Sequence, residues 1–188
     1  MTPTGPQIRR ESESPDDAAL LERLRAGDLQ ALDDLFHRHA TSLLGVAYRL
    51  TGSSADAEDI VQDVFVGLPL ALRRYAEQGS FAGWLRTVTV RLALDRMRRR
   101  ERRREVALDP VIERTAGGAG DAGAMEARWE LEQALAALPD TLRVVLLLKE
   151  VEGYSHAEIG RMLGIRTGTS EVRLHRAIRT LRRVLGDQ

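Results

Sequence analysis

Cysteine is missing from all 188 residues, which excludes disulfide staples, thiolate nucleophiles and cysteine zinc sites and points to a reducing compartment. Aromatic residues are scarce, at 4%. Polar-surfaced helical modules with aliphatic interiors fit such a composition better than a thick aromatic core. No apolar run exceeds the five residues of Val144 to Leu148, far below the roughly 20 that a membrane span requires. An apolar signal-peptide stretch after Met1 is also lacking, so a cytoplasmic protein without membrane insertion is expected. Phosphate-loop glycines, a nucleophile constellation and metal-ligand spacing are equally absent. His37 and His39 are two apart and point different ways on a helix, while His156 and His175 stand alone. Catalytic residues, a metal and a cofactor are therefore not expected, and any chemistry belongs to a partner. The length allows one domain or two small ones, at about 150 residues per domain.

What is present is charge, and it is segregated. Basic and acidic residues number 28 each, yet residues 1–63 carry a net of −6, 86–105 a net of +6, 109–152 a net of −5 and 154–188 a net of +4. A neutral chain with two basic blocks is able to grip a polyanion at two places while its acidic blocks face something else. Of the bases, 27 are arginine and Lys149 is the only lysine. The guanidinium fork suits phosphates and guanine edges, although a biased genome composition produces the same ratio.

Periodicity divides the chain. Residues 1–16 are rich in Pro, Ser, Thr and charge without apolar spacing and read as a disordered tail. A helix carrying Leu20, Leu21 and Leu24 follows, with Gly27 as its stop and Asp28 as the next N-cap. Leu32, Leu35, Phe36, Leu43, Leu44, Ala47 and Leu50 then mark one long amphipathic helix up to Gly52. Ser53 or Ser54 caps a third helix bearing Ile60, Val61, Val64, Phe65 and Leu68, which Pro69 is expected to kink or end near Leu68. Ser80 caps a fourth with a stripe of Phe81, Trp84, Leu85, Val88 and Leu92, Trp84 being read as core. Ala116 to Ala124 is glycine- and alanine-rich and reads as linker. Beyond it come a helix from Ala127 to Leu138, a break at Pro139 with Asp140 as N-cap, a helix from Leu142 to Val151, and the capping box Ser155-x-x-Glu158. The last helix runs from about Thr167 to Leu185, with Leu174, Ala177, Ile178, Leu181 and Leu185 on one face. The expected class is all-α: two small helical domains, 17–104 and 125–188, joined by a flexible linker over 105–124.

The segment from Tyr154 to Ala177 is a short capped helix, a glycine turn and a longer basic helix. That is a helix-turn-helix, whose second helix enters the major groove by its N-terminal end. This half resembles the promoter-binding C-terminal domain of a bacterial extracytoplasmic-function (ECF) sigma factor of the sigma-70 family. The first half agrees independently. Asp56-Ala-Glu-Asp-Ile-Val-Gln-Asp-Val-Phe65 resembles the family segment that docks on core RNA polymerase, and Phe81-x-x-Trp84-Leu85 with Leu92-Ala-Leu-Asp95-Arg96-x-Arg98-Arg99 resembles its promoter-reading and promoter-melting segment.

The resemblance implies core RNA polymerase, promoter DNA and an anti-sigma factor as partners. It places core docking on Asp56, Glu58, Asp59, Gln62 and Asp63, carboxylates that also favour a helix N-terminus. It places the minus-ten element on Tyr75, Gln78, Ser80, Arg91, Asp95, Arg96, Arg98 and Arg99, where a polar loop beside a basic helix suits an unstacked base and its phosphates. The minus-thirty-five element falls to Ser155, Arg166, Thr167, Thr169, Glu171, Val172, Arg173 and Arg176. Arg91, Pro69, Ser170, Glu171 and Val172 depart from the family pattern. A linker of residues 106–124 spans about 25 Å as a coil and at most about 65 Å. The alternative is a helix-turn-helix regulator that never joins the core polymerase; such a protein needs neither the acidic patch nor the Phe81 to Arg100 helix.

Overall fold

The computed structural model describes residues 15–72, 80–106, 131, 133–135 and 137–186, and all regular structure among them is helical. They fall into two compact units, one drawn from residues 15–106 and the other from 131–186.

The first unit contains α1 (Pro15–Arg25), α2 (Gln30–Thr51), α3 (Ser54–Ala71) and α4 (Phe81–Val106). Gly27, at φ 92°, turns the chain out of α1. Asp28 then accepts the N–H of Gln30 at 2.9 Å, satisfying one of the orphan donors at the start of α2. Gly52 closes α2 in the left-handed region, donating to the Tyr48 carbonyl, which is the conformation a glycine C-cap supplies without strain. Extended Ser53 caps α3 by accepting from the N–H of Asp56. Ser80 accepts from the N–H of Gly83 at 3.1 Å at the start of α4.

Helix α2 packs against α1, α3 and α4, and α3 also meets α4. Their shared core holds Leu21, Leu35, Leu43, Val61, Phe65, Leu68, Phe81 and Leu85, with Trp84, Val88 and Leu92 half-buried against it. Phe81 stacks on Trp84 at 5.8 Å, so Trp84 belongs to the edge of the core. Each such aliphatic or aromatic side chain contributes about 1.5–3 kcal/mol when fully buried. Asp17 of α1 is buried too; Arg38 and His39 of α2 hold its carboxylate at 3.1 and 3.2 Å. A buried carboxylate needs such partners, and these tie α1 to α2.

Three expectations are corrected in this unit. Helix α3 does not stop near Leu68 but runs through Pro69 to Ala71. Pro69 is exposed and cannot donate to the preceding turn, but Leu68 and Leu72 on either side are buried and the N–H of Leu72 still reaches the Leu68 carbonyl, so the helix continues past it. Phe36 lies at the rim, 38% exposed, edge-on to Phe65 at 5.0 Å. Helix α4 continues through Val106, so the first two residues read as linker are helical. The remainder of that linker and the tail lie outside the described residues, apart from Pro15 and Asp16, which open α1.

The second unit contains α5 (Asp140–Leu146), a π-helical turn over Leu147–Val151, α6 (His156–Leu163) and α7 (Thr167–Gly186). Before α5, residues 131, 133–135 and 137 are helical, in keeping with the later part of the helix expected up to Leu138. Asp140 is the first helical residue and not the cap: Pro139 takes that place with an extended ψ of 139°, and the Asp140 carboxylate pairs with Arg143 at 2.8 Å. The π turn, in which the N–H of Glu152 reaches the Leu147 carbonyl at 3.0 Å, was not foreseen.

Helix α7 packs against α5 and α6. Leu138, Leu146 and Ala177 form the buried centre, with Leu135, Leu142, Leu174, Ile178 and Leu181 around them. Leu185, expected on the same face, is 44% exposed, because the packed stripe ends one turn earlier at Leu181.

Candidate nucleic-acid and protein interfaces

The carboxylates of α3 separate into two sets. Asp56 and Asp59 turn toward α4, where Arg96 donates Nε–H to Asp56 at 2.8 Å and a second N–H to Asp59 at 2.5 Å. Arg100 stands 3.9 Å from Asp56. The hydrogen bonds that Arg96 donates to Asp56, then to Asp59, raise its pKa above the ordinary value. Arg96, expected among the phosphate contacts, is therefore placed by the structure as the tie between α3 and α4. Glu58, Gln62 and Asp63 are exposed. Steps of three and four put Gln62, Asp63, Val66 and Leu70 on one helix face, and Val66 and Leu70 are 75% and 69% exposed. The expected docking set did not include these two; their spacing of four and eight residues from Gln62 was the available signal.

On α4, Arg91, Asp95, Arg98 and Arg99 are exposed, and Asp95 accepts from Arg98 at 3.2 Å. Arg91, Asp95, Arg98 and Arg102 recur at four, three and four residues, which aligns them along one face. Arg102 is exposed and was also missed, being one of several arginines in a run. The Ser80 hydroxyl is occupied by its cap. Tyr75 and Gln78 lie outside the described residues.

The turn between α6 and α7 is tight for identifiable reasons. The Ser155 hydroxyl and the Glu158 carboxylate form both halves of a capping box; the hydrogen bond from Ser155 lowers the Glu158 pKa, with Arg161 and Lys149 adding to the effect. Gly164, at φ 66°, ends α6, and the N–H of Ile165 reaches back to Gly160 at 2.9 Å. A Cβ on Gly160 would stand only 2.8 Å from the Ile165 carbonyl oxygen. Glycine is what allows this close approach.

The opening of α7 then presents Arg166, Thr167, Thr169, Glu171, Val172 and Arg176 to solvent, with Arg173 half-buried. Ser170 faces inward and is fully buried. Glu171, Val172, His175, Arg176 and Arg179 share one exposed face of α7. His175 falls within the expected row, next to Arg176, and Arg179 extends it by about one turn. Ser155 differs from the rest of its set: its hydroxyl and its N–H are both directed at Glu158.

Among the described residues no group of three or more histidine or acidic side chains is arranged to hold a metal ion, and no helix is long and apolar enough to cross a membrane.

Comparison with known proteins adds the context. Residues 35–103 match the family described as Sigma-70 region 2, and residues 128–181 match Sigma-70, region 4. The ECF RNA polymerase sigma factor SigE of Mycolicibacterium smegmatis is 35% identical over 178 residues, covering 91% of this chain and 68% of that protein. The RNA polymerase sigma factor CarQ of Myxococcus xanthus is 34% identical over 167 residues, covering 89% and 96%. Among solved structures, CnrH in complex with the cytosolic domain of CnrY superposes with a TM-score of 0.57 at 26% identity, covering 92% of this chain and 99% of that one. The sigma factor RpoE in complex with the anti-sigma factor NepR from Bartonella quintana shares the fold at a TM-score of 0.65 and 23% identity, covering 82% and 96%.

Proposed function

The chain belongs to the ECF sigma factors of the sigma-70 family, and from that premise we propose a division of labour between its two units. The protein binds core RNA polymerase, recognises promoter DNA and promotes transcription initiation. Core docking falls to the outward face of α3, through Glu58, Gln62 and Asp63, with Asp56 and Asp59 held behind them by Arg96. Exposed carboxylates on one helix face attract a basic partner and steer its approach. The minus-ten region falls to α4 and the segment before it, with Arg91, Asp95, Arg98, Arg99 and Arg102 along the DNA and Tyr75, Gln78 and Ser80 near the unstacked base. The minus-thirty-five element falls to the groove end of α7, through Arg166, Thr167, Thr169, Glu171, Val172, Arg173 and Arg176.

The observation that carries this reading is the pairing, on one chain, of an acid-faced helix and a basic helix in the first unit with a helix-turn-helix in the second. A repressor needs only the latter. Bond making remains with the polymerase, so this chain is a non-enzymatic factor. It works in the cytoplasm, and an anti-sigma factor covers its binding faces when transcription is off, as the complexes of related sigma factors suggest. Domain limits of 17–104, widened to Pro15 and Val106 by the ends of α1 and α4, and of 125–188 suit this assignment.

The test is association with core polymerase in a pull-down titration, followed by transcription in vitro from a promoter library. Glu58→Lys with Asp63→Lys weakens core association on the order of tenfold or more, while a wild-type holoenzyme initiates from a defined subset of promoters. Unchanged core affinity in the double variant removes the docking assignment.

A further inference from the structure

Ser170 sits in the opening turn of α7 with its side chain wholly removed from solvent. A buried hydroxyl without a partner costs about 1–3 kcal/mol, and here the partner comes from the other helix of the motif. Nδ1 of His156 lies 2.9 Å from the Ser170 hydroxyl oxygen. His156 is the first residue of α6, and its side chain is half-buried. Its neighbour Ser155 directs hydroxyl and N–H alike to the Glu158 carboxylate, whereas the imidazole has a second ring nitrogen beyond the one that meets Ser170.

That atom is Nε2. If the Ser170 hydroxyl donates to Nδ1, the neutral ring carries its proton on Nε2; if the ring is charged, both nitrogens donate. Only a neutral ring with its proton on Nδ1 leaves Nε2 an acceptor, and an approaching phosphate selects against that tautomer, so beside a phosphate the contact to Ser170 aims a donor. In a helix-turn-helix the N-terminal end of the second helix enters the groove while the first helix crosses the sugar–phosphate backbone. His156 begins the first helix and is bonded to the opening turn of the second, which puts it where those two approaches meet. We propose that His156 is a DNA-contacting residue of this motif, its Nε2–H donating to one promoter phosphate while Ser170 positions the ring. The contact adds register on the duplex, not base preference, as phosphate contacts do.

This inference rests on the sigma-factor reading, and the experiment separates the two. Holoenzyme is assembled from the full chain and a bacterial core polymerase, and a duplex is selected by it from a randomised pool. Each phosphate of the minus-thirty-five region is then replaced in turn by an uncharged methylphosphonate. Wild type loses affinity on the order of tenfold at the phosphate that His156 contacts. His156→Phe shows that loss on the unmodified duplex and no further loss at that one phosphate, while every other phosphate keeps its effect. His156→Gln, which can accept from Ser170 and still donate, recovers most of the affinity. Ser170→Ala leaves the imidazole unaimed and gives a smaller loss at the same phosphate, so the readout survives if His156→Phe unfolds the unit. Identical phosphate profiles for wild type, His156→Phe and Ser170→Ala overturn the proposal and leave His156 as a pin between two helices. Failure of the chain to form a holoenzyme, or of that holoenzyme to select any duplex, overturns the sigma-factor reading and this inference with it.

Discussion

At the scale of single residues, the informative side chain is Arg96. It stands in a run of arginines, where a phosphate contact is the natural expectation for each. The structure turns this one back onto Asp56 and Asp59, so its removal acts first on the joint between α3 and α4. With the Arg96 side chain 39% exposed, solvent screening limits the tie to about 1 kcal/mol or less. Arg96→Ala and Asp56→Ala each lower the stability of the first unit by that order, and the double variant falls short of their sum, as groups in one network do. Urea unfolding of the four proteins measures the coupling. Strict additivity returns Arg96 to the pool of phosphate contacts. Nothing in an arginine run tells which guanidinium points inward, because that depends on the carboxylates 37 and 40 residues away. The burial of Asp17 was hidden for the same reason: its partners Arg38 and His39 are 21 and 22 residues distant. Ser170 was legible as an inward position from its spacing with Leu174 and Ala177. Its partner on another helix was not.

Elements were easier to read than their ends. Three- and four-residue spacing reveals α2 and the helix-turn-helix because apolar burial imposes that period, and Ser53, Ser155 and Gly164 mark boundaries because helix ends require caps. Pro69 misled because the hydrogen bond it removes is offset by the packing of Leu68 and Leu72 on either side of it, which local sequence does not give. The π turn at Leu147–Val151 leaves no periodic trace over five residues. Gly160 is an element-scale feature, since what demands it is the carbonyl of Ile165 and not its own φ. By helix propensity alone, Gly160→Ala gains about 1 kcal/mol. The 2.8 Å approach to backbone oxygen opposes that gain, and overpacking of this kind costs about 1–3 kcal/mol. We expect net destabilisation of the second unit and weakened promoter binding by the holoenzyme, with core association through the first unit retained. Calorimetry together with the core pull-down checks both halves; a stabilised variant with full promoter binding shows that the turn shifts freely.

For the whole molecule, the alternation of acidic and basic blocks was visible in the sequence, whereas the role of each charge was not. Within the first unit the structure spends Arg96 on an internal pair and leaves Arg91 and Arg99 exposed; in the second, Arg176 is exposed on α7. Each exposed arginine that meets a phosphate releases condensed counterions, so log affinity falls with log salt by about 0.9 per contact. Arg91→Ala with Arg99→Ala should therefore flatten the salt dependence of holoenzyme binding to promoter duplex by about 2, and Arg176→Ala by about 1 if it meets phosphate. Because the two sets belong to separate compact units and are assigned to separate promoter elements, their losses should add within about 0.5 kcal/mol in the triple variant. If Arg176 reads a base instead, its replacement changes the preferred sequence at one minus-thirty-five position by about 1–3 kcal/mol and leaves the slope almost unchanged. Filter binding across a salt series, on the selected duplex and on one with that position altered, distinguishes these outcomes. A triple variant that retains the wild-type slope means that neither unit holds DNA through these arginines.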